Sequence, residues 1–227
     1  ALLVRMLPNN KPALIDPKNN IPSGPVISNS DGSVSQNRTY QDLLKNPDDE
    51  TNFVTLTTSE LYTVDLNGKA TLFLPADMYS DESFSPDGSL LLVSKIRKPF
   101  SYVVPLNRFP ILSAVYNLQA KAIATVNEVP LAEVLPKGFM AVRTGKRSMS
   151  WRADEAATLF FVEALDGGDP TKKVEHRDAL FVWPAPFTAA PTQIAKTTLR
   201  YAGIVWGNSQ VAVLHDQWYD TRRTTSH

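Results

Sequence analysis

The chain has 227 residues, which is enough for one large β domain or two small domains. Lysine plus arginine and aspartate plus glutamate both number 23, and this zero net charge argues against nonspecific nucleic-acid binding, which needs an excess of basic charge. The absence of cysteine excludes disulfides and thiolate metal sites. No apolar run approaches the roughly 20 residues that span a membrane. Seventeen prolines and ten glycines favour short strands and turns over long helices.

The N-terminal part of the chain predicts little regular structure after a first strand over residues 1–6. Residues 8–37 contain five prolines among asparagines and show no apolar periodicity, which predicts an irregular surface loop or a disordered insertion. Residues 39–47 are expected to form one or two helical turns, with Thr39 as the cap and Pro47 as the stop.

Strand signals become regular after residue 52. Asn67-Gly68 predicts a tight hairpin, because both positions tolerate a positive φ. The expected strands, in chain order, cover residues 53–56, 61–66, 70–74, up to Phe84, 90–96, 114–118, 122–126, 148–151, 158–164, 180–183, 193–195, 201–206 and 211–215.

One pattern recurs three times along these strands: an aromatic residue, a polar turn and a burst of β-formers. The aromatic anchors are Phe84, Trp151 and Trp206, spaced more widely than the roughly 40–45 residues of a minimal propeller blade. We therefore predict an all-β fold, a partial β-propeller of four-stranded antiparallel blades, with the whole of 1–227 in one propeller domain. About two complete blades should be flanked by partial ones, so the open blade edges could support self-association. A β-sandwich is the structural alternative.

Short motifs add little catalytic chemistry. The nucleophile elbow Gly-x-Ser-x-Gly and the Walker and dinucleotide patterns are absent. The three histidines are not spaced as metal ligands, so neither a metal nor another cofactor is expected. The segment 176–178 is interpreted as a charged turn before a strand, and the segment 166–169 as a hairpin loop.

The amino-acid sequence resembles that of the N-terminal β-propeller of prolyl-oligopeptidase-clan serine peptidases, in the branch of glutamyl endopeptidase. The stretches that carry the resemblance are Ile21-Pro-Ser-Gly-Pro-Val, Arg38-Thr-Tyr-Gln-Asp-Leu-Leu-Lys-Asn-Pro, Lys98-Pro-Phe-Ser-Tyr-Val-Val-Pro, Arg108-Phe-Pro, Val142-Arg-Thr-Gly-Lys-Arg-Ser-Met-Ser-Trp-Arg-Ala-Asp, Glu163-Ala-Leu-Asp-Gly-Gly-Asp-Pro, Glu175-His-Arg-Asp-Ala and Thr221-Arg-Arg-Thr.

The resemblance implies a substrate-gating propeller fragment, whose partners would be a C-terminal α/β-hydrolase domain of the same parent protein and peptide substrates. That catalytic domain is not found in this chain, so the chain alone should be inactive and no catalytic residue can be assigned. A periplasmic or secreted bacterial location is favoured. The alternatives are a stand-alone TolB-like propeller that binds a partner protein and a propeller enzyme that binds a sugar or another ligand.

One basic loop is the candidate for substrate binding. Arg143, Lys146 and Arg147 precede the anchor Trp151 and have no carboxylate nearby in sequence. Because propeller loops meet ligands at blade ends, and because the resembled family includes enzymes that cleave after glutamate, we expect Arg143 or Arg147 to bind an acidic substrate side chain. Pairing of these arginines with carboxylates of the propeller itself is the structural alternative.

Overall fold

The computed structural model describes residues 2–16, 40–208 and 210–227. Its elements in chain order are β1 (Leu2–Met6), α1 (Pro47–Thr57), β2 (Ser59–Val64), β3 (Ala70–Asp77), β4 (Tyr79–Phe84), β5 (Leu90–Ile96), a 3₁₀ turn (Leu106–Arg108), β6 (Ile111–Asn117), β7 (Ala122–Val129), β8 (Arg147–Trp151), β9 (Thr158–Ala164), β10 (Asp178–Pro184), β11 (Thr192–Thr197), β12 (Arg200–Asn208), β13 (Val211–Trp218) and β14 (Arg223–Ser226).

The strands form separate antiparallel sheets in chain order. Sheet 1 contains β1–β3, sheet 2 contains β4–β7, sheet 3 contains β8–β11 and sheet 4 contains β12–β14. Two four-stranded sheets between two three-stranded sheets confirm the prediction of a partial, propeller-like all-β fold, and a succession of four sheets departs from the two-layer β-sandwich.

Neighbouring sheets pack through their central strands, whose side chains point alternately to the two faces. In β5, Leu91 and Val93 lie in the cluster shared with sheet 1, whereas Leu92 lies in the cluster shared with sheet 3. In β9, Leu159 faces sheet 2 and Phe160 faces sheet 4. Burial on both faces explains why these strands are continuous apolar runs rather than alternating ones.

Two of the three aromatic anchors bridge sheets. Trp151 ends β8 and donates its indole N–H to the backbone oxygen of Ser83 in sheet 2, at 2.9 Å. The Trp206 ring of sheet 4 meets the edge of Phe160 in sheet 3, with 5.5 Å between centroids. Phe84 instead remains 39% exposed, and Tyr79, at the other end of β4, packs into the cluster between sheets 1 and 2.

The first helix corrects two expectations. Residues 53–56 lie in α1 rather than in a strand, and Pro47 begins the helix instead of ending one. Proline suits the first helical turn because that turn has no intrahelical acceptor for its N–H. Asn46 caps the helix by accepting a hydrogen bond from the Asp49 N–H at 2.8 Å.

The structure describes only part of the segment 8–37, which was predicted to be irregular. Residues 11–16 have no regular secondary structure, whereas 17–37 and the proposed cap Thr39 lie outside the described residues. Within the described ranges, no helix combines the length and apolar character that a bilayer span would need.

The connections between strands divide into two ends. One residue separates Asp77, the end of β3, from Tyr79, the start of β4, so β3 ends and β4 begins at the same end of the sheets. Each later strand runs antiparallel to the one before it in its sheet, so β8 and β12 also begin at this end. We call this the loop end, since it holds α1 and the segments 97–110, 130–146, 165–177 and 219–222. The opposite, turn end holds the short connections 65–69, 85–89, 118–121, 152–157 and 185–191.

Candidate functional site

A cavity of 480 Å³ opens at the loop end where sheets 3 and 4 meet. We call it the arginine cavity, because four arginines contribute to its wall: Arg147, Arg200, Arg222 and Arg223. Aromatic side chains complete the lining: Phe139, Tyr201, Trp218 and Tyr219. Cationic and aromatic groups therefore face one shared volume.

A buried ion network lies behind the wall of this cavity and reaches it through Arg200. The guanidinium of Arg200 binds Asp166 through Nη2 at 2.7 Å and Asp178 through Nη1 at 2.9 Å, and all three residues are almost fully buried. Arg177 adds a second cation to Asp166 at 3.0 Å and places its guanidinium 4.1 Å from the centre of the Trp218 ring. The network thus joins sheet 3 to sheet 4.

Hydrogen bonds from the network favour the charged form of Asp166 despite its burial. Burial acts to raise the pKa of Asp166, but hydrogen bonds from Arg200 and Arg177 outweigh it and hold that pKa below its usual value. Asp178 accepts a hydrogen bond from the Tyr201 N–H at 2.7 Å, and Asp166 accepts one from the Gly168 N–H at 2.9 Å.

Arg147 is the incompletely satisfied member of this cluster. Its side chain is 11% exposed and its Nη2 forms an ion pair with Asp178 Oδ1. Its Nε is buried without a hydrogen-bond partner among the described residues, and its Nη2 contacts Asp178 without the alignment of a hydrogen bond. Arg200 and the Tyr201 N–H also bind the two oxygens of Asp178. These two atoms form one edge of the guanidinium fork, the edge that binds a carboxylate in a bidentate manner.

Arg143, the other predicted site residue, occupies a neighbouring place. It lines a smaller cavity of 190 Å³ together with Leu135 and Val142, and no carboxylate of the described residues forms an ion pair with it. Burial lowers the pKa of its guanidinium, and the positive charge of Arg147 lowers it further. An arginine remains charged in spite of such shifts, so Arg143 adds an uncompensated positive charge beside the arginine cavity.

Sequence analysis missed the acidic half of this site. The segment 166–169 does lie in the loop between β9 and β10, and Asp178 does begin a strand, but the two were interpreted only as a hairpin loop and a charged turn. Their carboxylates instead meet Arg200, which is 34 and 22 residues away in sequence. The one available signal was the close spacing of acidic and basic residues around 166–178.

Lys146 lies at the loop end too, but is engaged in the fold. Its ammonium donates to the Val126 backbone oxygen at 2.9 Å and lies 4.2 Å from the centre of the Trp183 ring. It therefore ties the segment 130–146 to sheets 2 and 3 and is not a candidate for ligand binding.

Curated relatives match most of the chain. It is 39% identical over 210 residues to a protein of Oryza sativa subsp. japonica named "Probable glutamyl endopeptidase, chloroplastic", a match that covers 91% of this chain and 22% of the rice protein. It is 37% identical over 207 residues to the protein of the same name from Arabidopsis thaliana, covering 90% of this chain and 22% of that protein. The chain is homologous to a segment of glutamyl endopeptidases.

This homology confirms the resemblance found in the sequence and identifies a peptidase-related domain. The chain spans about a fifth of the length of these glutamyl endopeptidases. No family model matches the chain. Among solved structures, an acylaminoacyl peptidase in complex with Z-Gly-Gly-Phe-chloromethyl ketone aligns with a TM-score of 0.48 and 12% identity, over 78% of this chain and 27% of that one.

Proposed function

We propose that this chain is the propeller part of a serine peptidase of the glutamyl endopeptidase type. In that role it covers the catalytic α/β-hydrolase domain of the same parent protein. It admits only peptides and small unfolded substrates to the active site. The loop end faces the substrate, and the arginine cavity binds an acidic substrate side chain. The name that the homologous plant proteins carry supports this choice of substrate.

The observation that carries the proposal is the unsatisfied edge of Arg147. A buried donor without an acceptor costs about 1–3 kcal/mol, so such groups call for an explanation in a native fold. A glutamate carboxylate in the arginine cavity would supply an acceptor to Nε, while Nη2 keeps its ion pair with Asp178. A glutamine amide would supply one acceptor and no charge, which gives the site a basis for discrimination.

The charge around the cavity supports an anionic ligand. Its wall contains four arginines, Arg147, Arg200, Arg222 and Arg223, and no carboxylate among the described residues. Arg143 lies close enough to Arg147 for their charges to interact. An excess of positive charge in a partly enclosed, low-dielectric site strengthens the attraction for a carboxylate.

The test compares matched Glu and Gln peptides by kcat/KM in the complete parent protein. Arg147→Lys keeps a cation beside Asp178 but removes the fork, and Arg143→Ala removes the unpaired charge. A charge-assisted hydrogen bond contributes about 1.5–3 kcal/mol, so we expect the Glu-to-Gln ratio to fall about tenfold or more. Lys121→Ala, in a turn at the opposite end, is the control. An unchanged ratio in both arginine variants would refute acidic-substrate binding here.

The gating role needs separate tests. The reading frame beyond His227 should encode a Gly-x-Ser-x-Gly motif followed by Asp and then His, whereas a stop codon there would favour the stand-alone protein-binding module. The parent protein should cleave a short Glu-containing peptide far faster than the same sequence in a folded protein. Equal rates on the two substrates would contradict gating.

A further inference from the structure

An aromatic wall stands at the mouth of the arginine cavity. Phe139 is 72% exposed, and its ring contacts that of Tyr219 with 4.5 Å between centroids and 33° between planes. Arg222 places its guanidinium 3.9 Å from the centre of the Tyr219 ring. We call Phe139 and Tyr219 the aromatic wall; both residues line the cavity that also contains Arg147.

The chain around Phe139 is braced, although the ring itself is exposed. The next residue, Met140, accepts a hydrogen bond from Arg200 Nε at 3.1 Å, and this arginine is 2% exposed. Two residues further on, the Val142 N–H donates to the Gly168 backbone oxygen at 3.1 Å. The buried network therefore holds the backbone beside Phe139, and the Phe139 ring packs on Tyr219, so a ligand would meet a surface that is already arranged.

Exposed aromatic surface beside a cationic cavity has a particular chemical meaning. Phe139 offers no hydrogen bond, so it adds nothing to the binding of a bare anion such as phosphate. It does favour an apolar group that is covalently attached to the anion. The volume of 480 Å³ lies within the range of about 300–1,000 Å³ that holds ligands larger than one side chain.

We propose that the aromatic wall is a second specificity subsite, which takes an apolar side chain adjacent to the acidic residue of a peptide. This inference rests on the proposed function, because it assumes that the acidic residue occupies the Arg147 edge of the same cavity. The ligand class is thus an acidic peptide with an aliphatic or aromatic neighbour, and Phe139 determines specificity for that neighbour.

Binding to the 227-residue chain itself tests the subsite, without any need for catalysis. Each labelled peptide contains either Glu or Gln, and either Leu or Ser directly before or directly after that residue. Their affinities for the chain are measured by fluorescence anisotropy. For one of the two placements, the wild-type chain should bind the Leu peptide about tenfold more tightly than the Ser peptide, the discrimination expected of an apolar pocket. Phe139→Ser should reduce this preference to within about twofold.

Two further variants separate the subsite from other effects. Leu66→Ser, which changes a 99% exposed side chain at the turn end, is the matched control and should leave all affinities unchanged. Arg147→Lys should weaken the preference for Glu over Gln and retain the preference for Leu over Ser.

The possible failures are distinguishable. Equal binding of Leu and Ser peptides together with a retained preference for Glu would overturn the subsite alone, as would a Phe139→Ser variant with an unchanged Leu preference. Equal binding of Glu and Gln peptides by the wild-type chain would overturn the proposed acidic site. A chain that binds none of the peptides would overturn both.

Discussion

The two ends of the sheets solve the problem of reversing the chain in different ways. At the turn end, one short polar side chain holds each of several turns: Asp65, Asp87, Asn117 and Asn208 each accept hydrogen bonds from backbone N–H groups two to four residues on, at 2.9–3.0 Å. At the loop end, residues such as Asp166 and Arg200, 34 positions apart, hold the connections together through buried charges.

This difference separates local from long-range stabilisation. In such a turn, the Asp or Asn side chain accepts its hydrogen bonds from backbone N–H groups within four residues, so these donors need no distant partner. A buried ion network depends on every member, and Arg147, whose Nε lacks an acceptor among the described residues, also lines the arginine cavity. The loop end therefore has both the chemistry and the incompleteness that a binding site needs.

The largest expected effect is at the centre of the ion network. Asp178→Asn keeps the shape of the side chain but leaves Arg147 and Arg200 with one buried negative charge fewer. Breaking a buried ion pair from one side typically costs about 3–5 kcal/mol, so the free energy of unfolding in urea should fall by that amount. The matched change at the turn end is Asp87→Asn, which should cost less than about 1 kcal/mol. Equal losses in the two variants would contradict the contrast between the ends.

Two glycines with similar backbone conformations allow the effect of packing on stability to be measured separately from that of backbone strain. Gly68 at the turn end and Gly168 at the loop end have nearly the same positive φ, +80° and +77°. A Cβ on Gly68 would meet open space, whereas one on Gly168 would lie 1.9 Å from the Val142 backbone oxygen.

Both alanine variants should thus share the strain of the left-handed conformation, about 1–2 kcal/mol. Gly168→Ala should lose about 1–3 kcal/mol more, because the clash forces the segment 130–146 away from sheet 3. Urea unfolding of both variants measures the difference. A Gly168→Ala chain as stable as Gly68→Ala would show that this close approach does not matter for the fold.

Acid should weaken the loop end through Asp166. Its folded pKa is lowered, so its charge stabilises the folded state above the unfolded pKa of about 3.9, and this contribution is lost as pH falls through the folded pKa. The free energy of unfolding should therefore decline below about pH 4, by less than the loss of Asp178 causes. Asp166→Asn should show a shallower decline over the same window in urea titrations, relative to its own value at pH 7. A decline as steep as that of the wild-type chain would indicate that other carboxylates are responsible.

The sheets were predictable from sequence because their signals are local. Apolar runs such as those of β5 and β9, bounded by turn residues, predicted strands that the structure contains. The run 53–56 was predicted to be a strand but lies in α1, because a short apolar run does not distinguish a buried strand from a helix. The local signal that distinguishes the two is the cap Asn46, followed by Pro47 and an acidic first turn.

The site was only half predictable, for a related reason. Arg143 and Arg147 stood out as basic residues without nearby carboxylates, and the structure places both beside cavities at the loop end. The partner of Arg147 comes from a different strand, and the exposed Phe139 meets Tyr219 from 80 residues further along the chain. The strand order within sheet 3 brings Arg147 to Asp178, and the tertiary packing of the loop end brings Phe139 to Tyr219; no local pattern specifies either arrangement.

The smallest expected effect tests whether the loop end also contains locally stabilised structure. Asn46→Ala removes the acceptor for the Asp49 N–H, and an N-cap of this kind contributes about 1 kcal/mol. The loss should be confined to α1, so hydrogen exchange should accelerate at Asp49 and Glu50 and remain unchanged at Lys121 in the turn end. Asn46→Asp restores an acceptor and should recover the protection. If Asn46→Ala instead accelerated exchange throughout sheets 3 and 4, α1 would be part of the same cooperative unit as the ion network, and the division of the loop end into local and long-range parts would be wrong.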